Sequence, residues 1–272
     1  MTDDGERSAE ARALAERALT RLLAGGAPTS ELLIVLGGLV PPTLTSDLPD
    51  VPAHLGTTDV DVLLVTQLTA GRDLGPIERA LEAMDFAPEG DGWRWRGRID
   101  DRLVKIEFLC DLDDQPAEAI VTPSGCRELR AVNLRGTGSV EHDHREITLD
   151  GPDGPVRVRI AALAGYLLSK AAAARGRGAD KDYYDLAYVL LHNHAGGPAA
   201  AAAVINASKL QTALAGMAST LIELRERFRN DRATGPGAFA QESLKITPDA
   251  DARLLAADAA AAVNEFLDAL RP

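Results

Sequence analysis

Asp59 and Asp61 stand two residues apart inside the apolar run Gly56-Thr57-Thr58-Asp59-Val60-Asp61-Val62-Leu63-Leu64, and their type and spacing suit chemistry. On a strand, alternate side chains share a face, so both carboxylates project from one side while Val60 and Val62 point into a core. Two carboxylates side by side repel each other and resist desolvation, and a cation between them relieves both costs, which points to Mg²⁺. Taken alone, Asp-x-Asp also fits a solvated strand face or a turn.

The elements around this pair set its context. Leu32-Leu33-Ile34-Val35-Leu36 is continuously apolar and reads as a two-sided central strand ending in a tight turn at Gly37-Gly38. A loop containing Pro41, Pro42, Pro49 and Pro52 separates it from the acidic strand, Val60 to Val65. A helix over 8–23, stopped at Gly25-Gly26, precedes the first strand, and another runs from Pro76 to Met84. Trp93–Gly97 and Leu103–Leu109 form a hairpin candidate around Asp100-Asp101, in which Glu107 is a polar exception on an otherwise apolar strand. Two more strands, 145–149 and 156–160, flank Asp150-Gly151-Pro152-Asp153-Gly154 and close a mixed sheet.

Beyond Ala161 the pattern turns helical: Leu163, Leu167 and Leu168 lead to Lys170, a break falls at 176–178, and a helix resumes from Asp180. Gly196-Gly197-Pro198 stops it before an alanine-rich helix, another through Leu221 and Leu224, and a last one over about 249–270. The expected organisation is an α+β domain over 1–160 followed by a helical bundle over 161–272.

A chain of 272 residues is long enough for one large or two smaller domains. Its net charge of -12 argues against nonspecific coating of nucleic acid and leaves room only for a focused basic cleft, with Arg94, Arg96, Arg98, Arg157, Arg159, Arg175 and Arg177 as candidates. Aromatic content of 4% offers no stacking platform for single-stranded bases. Cys110 and Cys126 lack metal-ligand spacing and read as buried thiols. No run is apolar for long enough to span a bilayer, and the acidic start (Asp3, Asp4, Glu6) lacks the basic head of a signal peptide, so the expected location is cytoplasmic. His142 and His144 are spaced like ligands on a strand but also fit a solvated loop, and His192 and His194 read as a helix end.

The order of apolar strand, Gly-Gly turn, Asp-x-Asp strand and a later strand acid resembles the nucleotidyltransferase fold of the DNA polymerase β type. Within it, VLGGLVPP, HLGTTDVDVLL, Leu167-Leu168-Ser169-Lys170 and Lys181-Asp182-Tyr183-Tyr184-Asp185-Leu186 are similar to the ordered motifs of the AbiEii/AbiGii-type toxin nucleotidyltransferases, over roughly Ile34 to His194. The resemblance implies a polymerase β-like domain with a mixed, mostly antiparallel sheet and a C-terminal helical bundle. It implies transfer of an NMP from an NTP to an acceptor hydroxyl, with Asp59, Asp61 and Glu107 around one or two Mg²⁺ ions. Gly37, Gly38 and Thr58 would lie at the triphosphate, with Lys170, Lys181 and Arg175 as its countercharges. Asp182 would orient the acceptor or Lys170, and Asp185 would pair with Arg175 or Lys181. The acceptor implied is RNA such as the tRNA 3′ end, and the partner a cognate antitoxin. Two alternatives stand beside this: a small-molecule, antibiotic-type nucleotidyltransferase, and a catalytically inactive nucleotide- or partner-binding module. The chain departs from the pattern in its long loop after Gly38, in glycine where serine often follows the first Gly, and in Glu rather than Asp as third acid.

Overall fold

A computed structural model describes residues 7–25, 30–45, 49, 51–65 and 71–271. The acidic Asp3, Asp4 and Glu6 and the Gly26 of the expected first helix stop lie outside them. The fold is α+β, with a sheet that mixes parallel and antiparallel strands. The chain divides into two compact units, Met1–Val40 with Gly56–Ala161, and Pro41–Leu55 with Ala162–Pro272. The division near Ala161 lies where the composition turns helical, but Pro41–Leu55, assigned by sequence to the first domain, belongs with the helices.

In the first unit, α1 (Ala9–Ala24) is capped by the Ser8 hydroxyl and buries Leu14, Leu19 and Leu22. It is followed by β1 (Leu33–Leu36), a short 3₁₀ turn (Gly37–Leu39), β2 (Asp59–Leu64) and α3 (Gly75–Ala83), with α2 (Pro41–Leu44) in the intervening segment. The remaining elements are β3 (Ala87–Glu89), β4 (Arg94–Ile99), β5 (Arg102–Cys110), β6 (Ile120–Val121), β7 (Ala131–Asn133), α4 (Ser139–His142), β8 (His144–Gly151) and β9 (Gly154–Ala161). The sheet order is β3-β4-β5-β2-β1-β9-β8, with β7 also pairing β5 and β6 pairing β7. β1–β9, β2–β5 and β5–β7 are parallel, and the other pairings are antiparallel. β4 and β5 are joined by Asp100-Asp101, both at positive φ, the backbone hand that lets a two-residue turn match strand twist. Leu33 to Leu36 are all buried, as the unbroken apolar run requires of a central strand.

The second unit contains α5 (Leu163–Gly176), α6 (Asp180–His192), α7 (Pro198–Ala207), α8 (Gln211–Gly216), α9 (Ala218–Arg227), α10 (Thr234–Leu244) and α11 (Ala252–Ala269). Pro198 opens α7, where a missing N–H costs nothing. α6 packs against α5, α10 and α11, and its residues from Asp182 to Leu190 are buried. Among the described residues, no helix is long and apolar enough to cross a membrane. Cys110 is buried, whereas Cys126 is half-exposed rather than buried as its sequence context implied; burial pushes both thiols up to about 12.

Candidate functional site

Strand β2 presents Asp59 and Asp61 on its half-buried face and buries Val60 and Val62 on the other, the alternation a pleated strand imposes. The parallel pairing of β2 with β5 sets Asp61 opposite Glu107 and Asp59 opposite Lys105. The antiparallel pairing of β5 with β4 sets Glu107 opposite Arg94. Arg94, Glu107 and Asp61 therefore form one row across three adjacent strands. Arg94 donates to Glu107 over 2.7 Å and lies 4.6 Å over the Trp93 ring.

Glu107 is buried, and burial is the largest influence on its carboxyl, followed by the charge of Asp61. Together with Asp59 they outweigh Arg94 and raise it from 4.5 to about 7. The Arg94 pair favours the carboxylate, yet Arg94 is one-third exposed and screened, so the buried like charges prevail. The Asp61 carboxylate makes no side-chain hydrogen bond or ion pair among the described residues. Asp61 and Asp59 thus set negative charge beside the buried Glu107 carboxyl.

The Gly-Gly turn abuts this face. Leu36 pairs with Asp61, and the chain then turns through Gly37 at φ +72. A Cβ on Gly37 would overlap the Asp61 carboxylate, and one on Gly38 would strike Thr57. Thr57 is itself fixed to Asp59, its hydroxyl donating to the Asp59 carbonyl and accepting from the Asp59 N–H. The Thr58 hydroxyl donates to the Asp59 carboxylate at 3.3 Å. The turn and the strand start hold the two carboxylates in place with no room for a larger residue.

Asp59 and Asp61 offer oxygen donors, the type that a hard divalent cation takes. Among the described residues, no group of three or more His, Cys, Asp or Glu side chains is gathered to hold a metal. Glu107, expected as third ligand, is instead engaged by Arg94.

The helical-half motifs form a cluster of their own. Lys170 is 5% exposed, and its ammonium donates to Asp185 at 2.7 Å and Asp182 at 3.2 Å. Arg177 grips Asp182 with two hydrogen bonds, and His54 Nε2 lies 3.0 Å from Asp185. Burial lowers the Lys170 ammonium, but Asp185 and Asp182 more than offset it and hold it above its ordinary value. Burial raises Asp182, but Lys170 and Arg177 more than offset that and hold it below the usual carboxylate range. Lys170, expected as a phosphate countercharge, thus has its charge balanced by two carboxylates inside the protein. Asp185 pairs with Lys170 and His54, neither of which was expected as its partner. Arg175 instead reaches Glu223 and Thr220, and Lys181 is exposed. Lys181 lies in the exposed first turn of α6, whereas every residue from Asp182 to Leu190 is buried, and Lys170 of α5 reaches both acids there.

Sequence assigned His54 no role, because a histidine in a proline-rich loop carries no periodic signal. The segment containing it is docked throughout: Leu55 N–H donates to the Tyr184 hydroxyl, the Tyr188 hydroxyl donates to Pro52 O, and Thr45 bridges to Asn193. Of the basic-cleft candidates, Arg96 pairs with Glu89, Arg98 with the Asp101 carbonyl, and Arg159 with Glu31 O and His144. The His144 ring lies between Val140 O and Arg159, and His142 ends α4, so a helix boundary separates the two.

Comparison with family models, with curated proteins and with solved structures finds no match.

Proposed function

We propose that the chain is a Mg²⁺-dependent nucleotidyltransferase of the polymerase β-like type that moves an NMP from an NTP to an acceptor hydroxyl. The observation that carries this reading is the abutment of Gly37 on Asp61, with Asp61 opposite Glu107 on the neighbouring parallel strand. A side-chain-free turn against a carboxylate pair lets backbone N–H groups approach a triphosphate while the carboxylates face its cation. Asp59 and Asp61 hold the ion. When bound, Mg²⁺ neutralises charge on the phosphates and the attacking and leaving oxygens.

Glu107, raised to about 7, can take a proton from a hydroxyl near neutral pH, and Arg94 fixes its orientation. Thr57 and Thr58 hold Asp59. Lys170, Asp182, Asp185 and His54 serve the helical unit, holding α5, α6 and the Pro41–Leu55 segment together. The motif resemblance extends the proposal to an AbiEii/AbiGii-type toxin acting on RNA such as the tRNA 3′ end and countered by an antitoxin.

A second reading, a nucleotide- or partner-binding module without transfer activity, draws on the engagement of Glu107 by Arg94 and on the scattered donor set. Incubating native protein and Asp59→Ala/Asp61→Ala protein with labelled NTPs, Mg²⁺ and either total tRNA or aminoglycosides separates the readings. Label on tRNA from native protein alone supports the RNA transferase. Label on the aminoglycoside redirects it to small molecules, and label on neither supports the binding module.

A further inference from the structure

The helical unit contains a cavity of about 180 Å³ that the site above does not use. Three helices contribute to it by their own periodicity. Tyr184, Tyr188 and His192 follow at i, i+4 and i+8 on α6; Phe239 and Ser243 are four apart on α10; Asp258 projects from α11. An empty apolar cavity of about 150 Å³ accepts benzene, so this one has room for a larger flat ring.

The chemistry of the walls narrows the occupant. Tyr188 and Phe239 stack on Tyr184, at 5.8 and 5.7 Å between centroids and 29° and 22° between planes. Tyr184 is flanked by both rings, His54 and His192 make T-shaped contacts with Tyr188 at 4.9 and 5.0 Å, and the Tyr184 and Tyr188 hydroxyls bond the Pro41–Leu55 segment. Tyr184 is left with its rim, and a positive rim favours the face of another aromatic ring over a cation. The lining carries one acidic group, Asp258, which is exposed and has no side-chain hydrogen-bond or ion-pair partner among the described residues. A carboxylate accepts two parallel hydrogen bonds, and it suits a ring edge bearing two adjacent donors. Among the nucleobases, guanine has that edge, with its N1–H beside the N2 amino group. Adenine and cytosine set an acceptor next to their amino group, and uracil offers one donor.

We propose that this cavity binds a guanine-type base, its ring against the Tyr184–Phe239 rims and its N1–H and amino group on Asp258. The inference deepens the transferase reading by naming a base that a nucleic-acid acceptor would present. Its test needs neither metal nor triphosphate, so the two fail separately.

Calorimetric titration of the full chain with guanosine, inosine and adenosine, in EDTA, is the experiment. Guanosine is expected to bind saturably, inosine more weakly for lack of the amino group, and adenosine at least about tenfold more weakly, as a bidentate base contact discriminates. Asp258→Asn, at an exposed position where folding is indifferent, is expected to weaken guanosine at least about tenfold. Ser243→Leu, checked for fold by circular dichroism, narrows the cavity and is expected to abolish binding. Absence of saturable guanosine binding, equal affinity for adenosine, or guanosine affinity unchanged by Asp258→Asn overturns the proposal, whatever the transfer assay with metal and NTP gives.

Discussion

Asp61 and Glu107 face each other across the parallel β2–β5 pairing, and the charge of the first is the strongest electrostatic influence on the second. A strand pair that sets two carboxylates in register accepts a repulsion that core packing elsewhere must offset. The pH dependence of stability exposes that cost. Glu107 titrates near 4.5 when unfolded and near about 7 when folded, so the folded state prefers it protonated. Its contribution is fully present below 4.5 and is lost as pH rises through about 7, a total of roughly 3 kcal/mol at most. Glu107→Gln keeps an acceptor for Arg94 and removes the titration. Urea unfolding at pH 5 and pH 8 should therefore show native protein losing more stability between the two than the Gln variant. Parallel losses in both proteins refute this account.

Magnesium should act on the same charges. If Asp59 and Asp61 hold the ion, Mg²⁺ raises the thermal midpoint of native protein in EDTA-free buffer, by about 2.7 kcal/mol of stability at a hundredfold excess over its Kd. EDTA reverses the gain, and the Asp59→Ala/Asp61→Ala protein shows none. A midpoint that rises equally in both proteins places the ion elsewhere.

Gly37 is the sharpest steric test of the site. At φ +72 an L side chain is strained, and a Cβ there overlaps the Asp61 carboxylate. Gly37→Ala should cost about 1–3 kcal/mol and lower transfer activity beyond the loss of folded protein. Differential scanning calorimetry with a transfer assay at a temperature where both proteins are folded measures the two effects separately. A neutral substitution would mean the turn opens away from Asp61.

Much of the first unit is written in its sequence. The period-2 alternation of Asp59-Val60-Asp61-Val62, the continuous run before Gly37 and the two-residue Asp100-Asp101 turn each fix a local geometry with few alternatives. Register is different: that Asp61 meets Glu107, and Glu107 meets Arg94, depends on strand order, which no local pattern encodes. Pro41–Leu55 was illegible for a related reason. Its prolines announce a loop, while its attachment to the helices rests on single long-range bonds from Pro52, His54 and Leu55 to Tyr188, Asp185 and Tyr184. The direction of Lys170 likewise follows from the packing of α6 against α5, so a motif lysine that reads as a phosphate ligand is spent on two buried acids.

That buried cluster yields the last prediction. Removing Lys170 as Lys170→Met leaves Asp182 and Asp185 together in the interior with Arg177 and His54 as their remaining partners, and breaking a buried pair in this way costs about 3–5 kcal/mol. Adding Asp182→Asn and Asp185→Asn removes the uncompensated charge and should recover most of the loss, since apolar or neutral replacement of a whole buried network is often near neutral. The sign with pH follows from the shifts. Asp182 lies below 3.8 in the folded state, so its stabilisation is present above 3.8 and is lost as pH falls through its lowered value. Lys170 lies above 10.5, so its stabilisation is present below 10.5 and is lost as pH rises through its raised value. Lys170→Met should accordingly flatten the acid limb of the unfolding profile, measured by far-ultraviolet circular dichroism in urea from about pH 2 to about pH 5, the range that spans the unfolded and lowered folded values of Asp182. Transfer activity corrected for folded fraction should stay near native in the triple variant, because Lys170 acts on the packing of α5 and α6. A triple variant that is stable and folded yet inactive would return Lys170 to the chemistry.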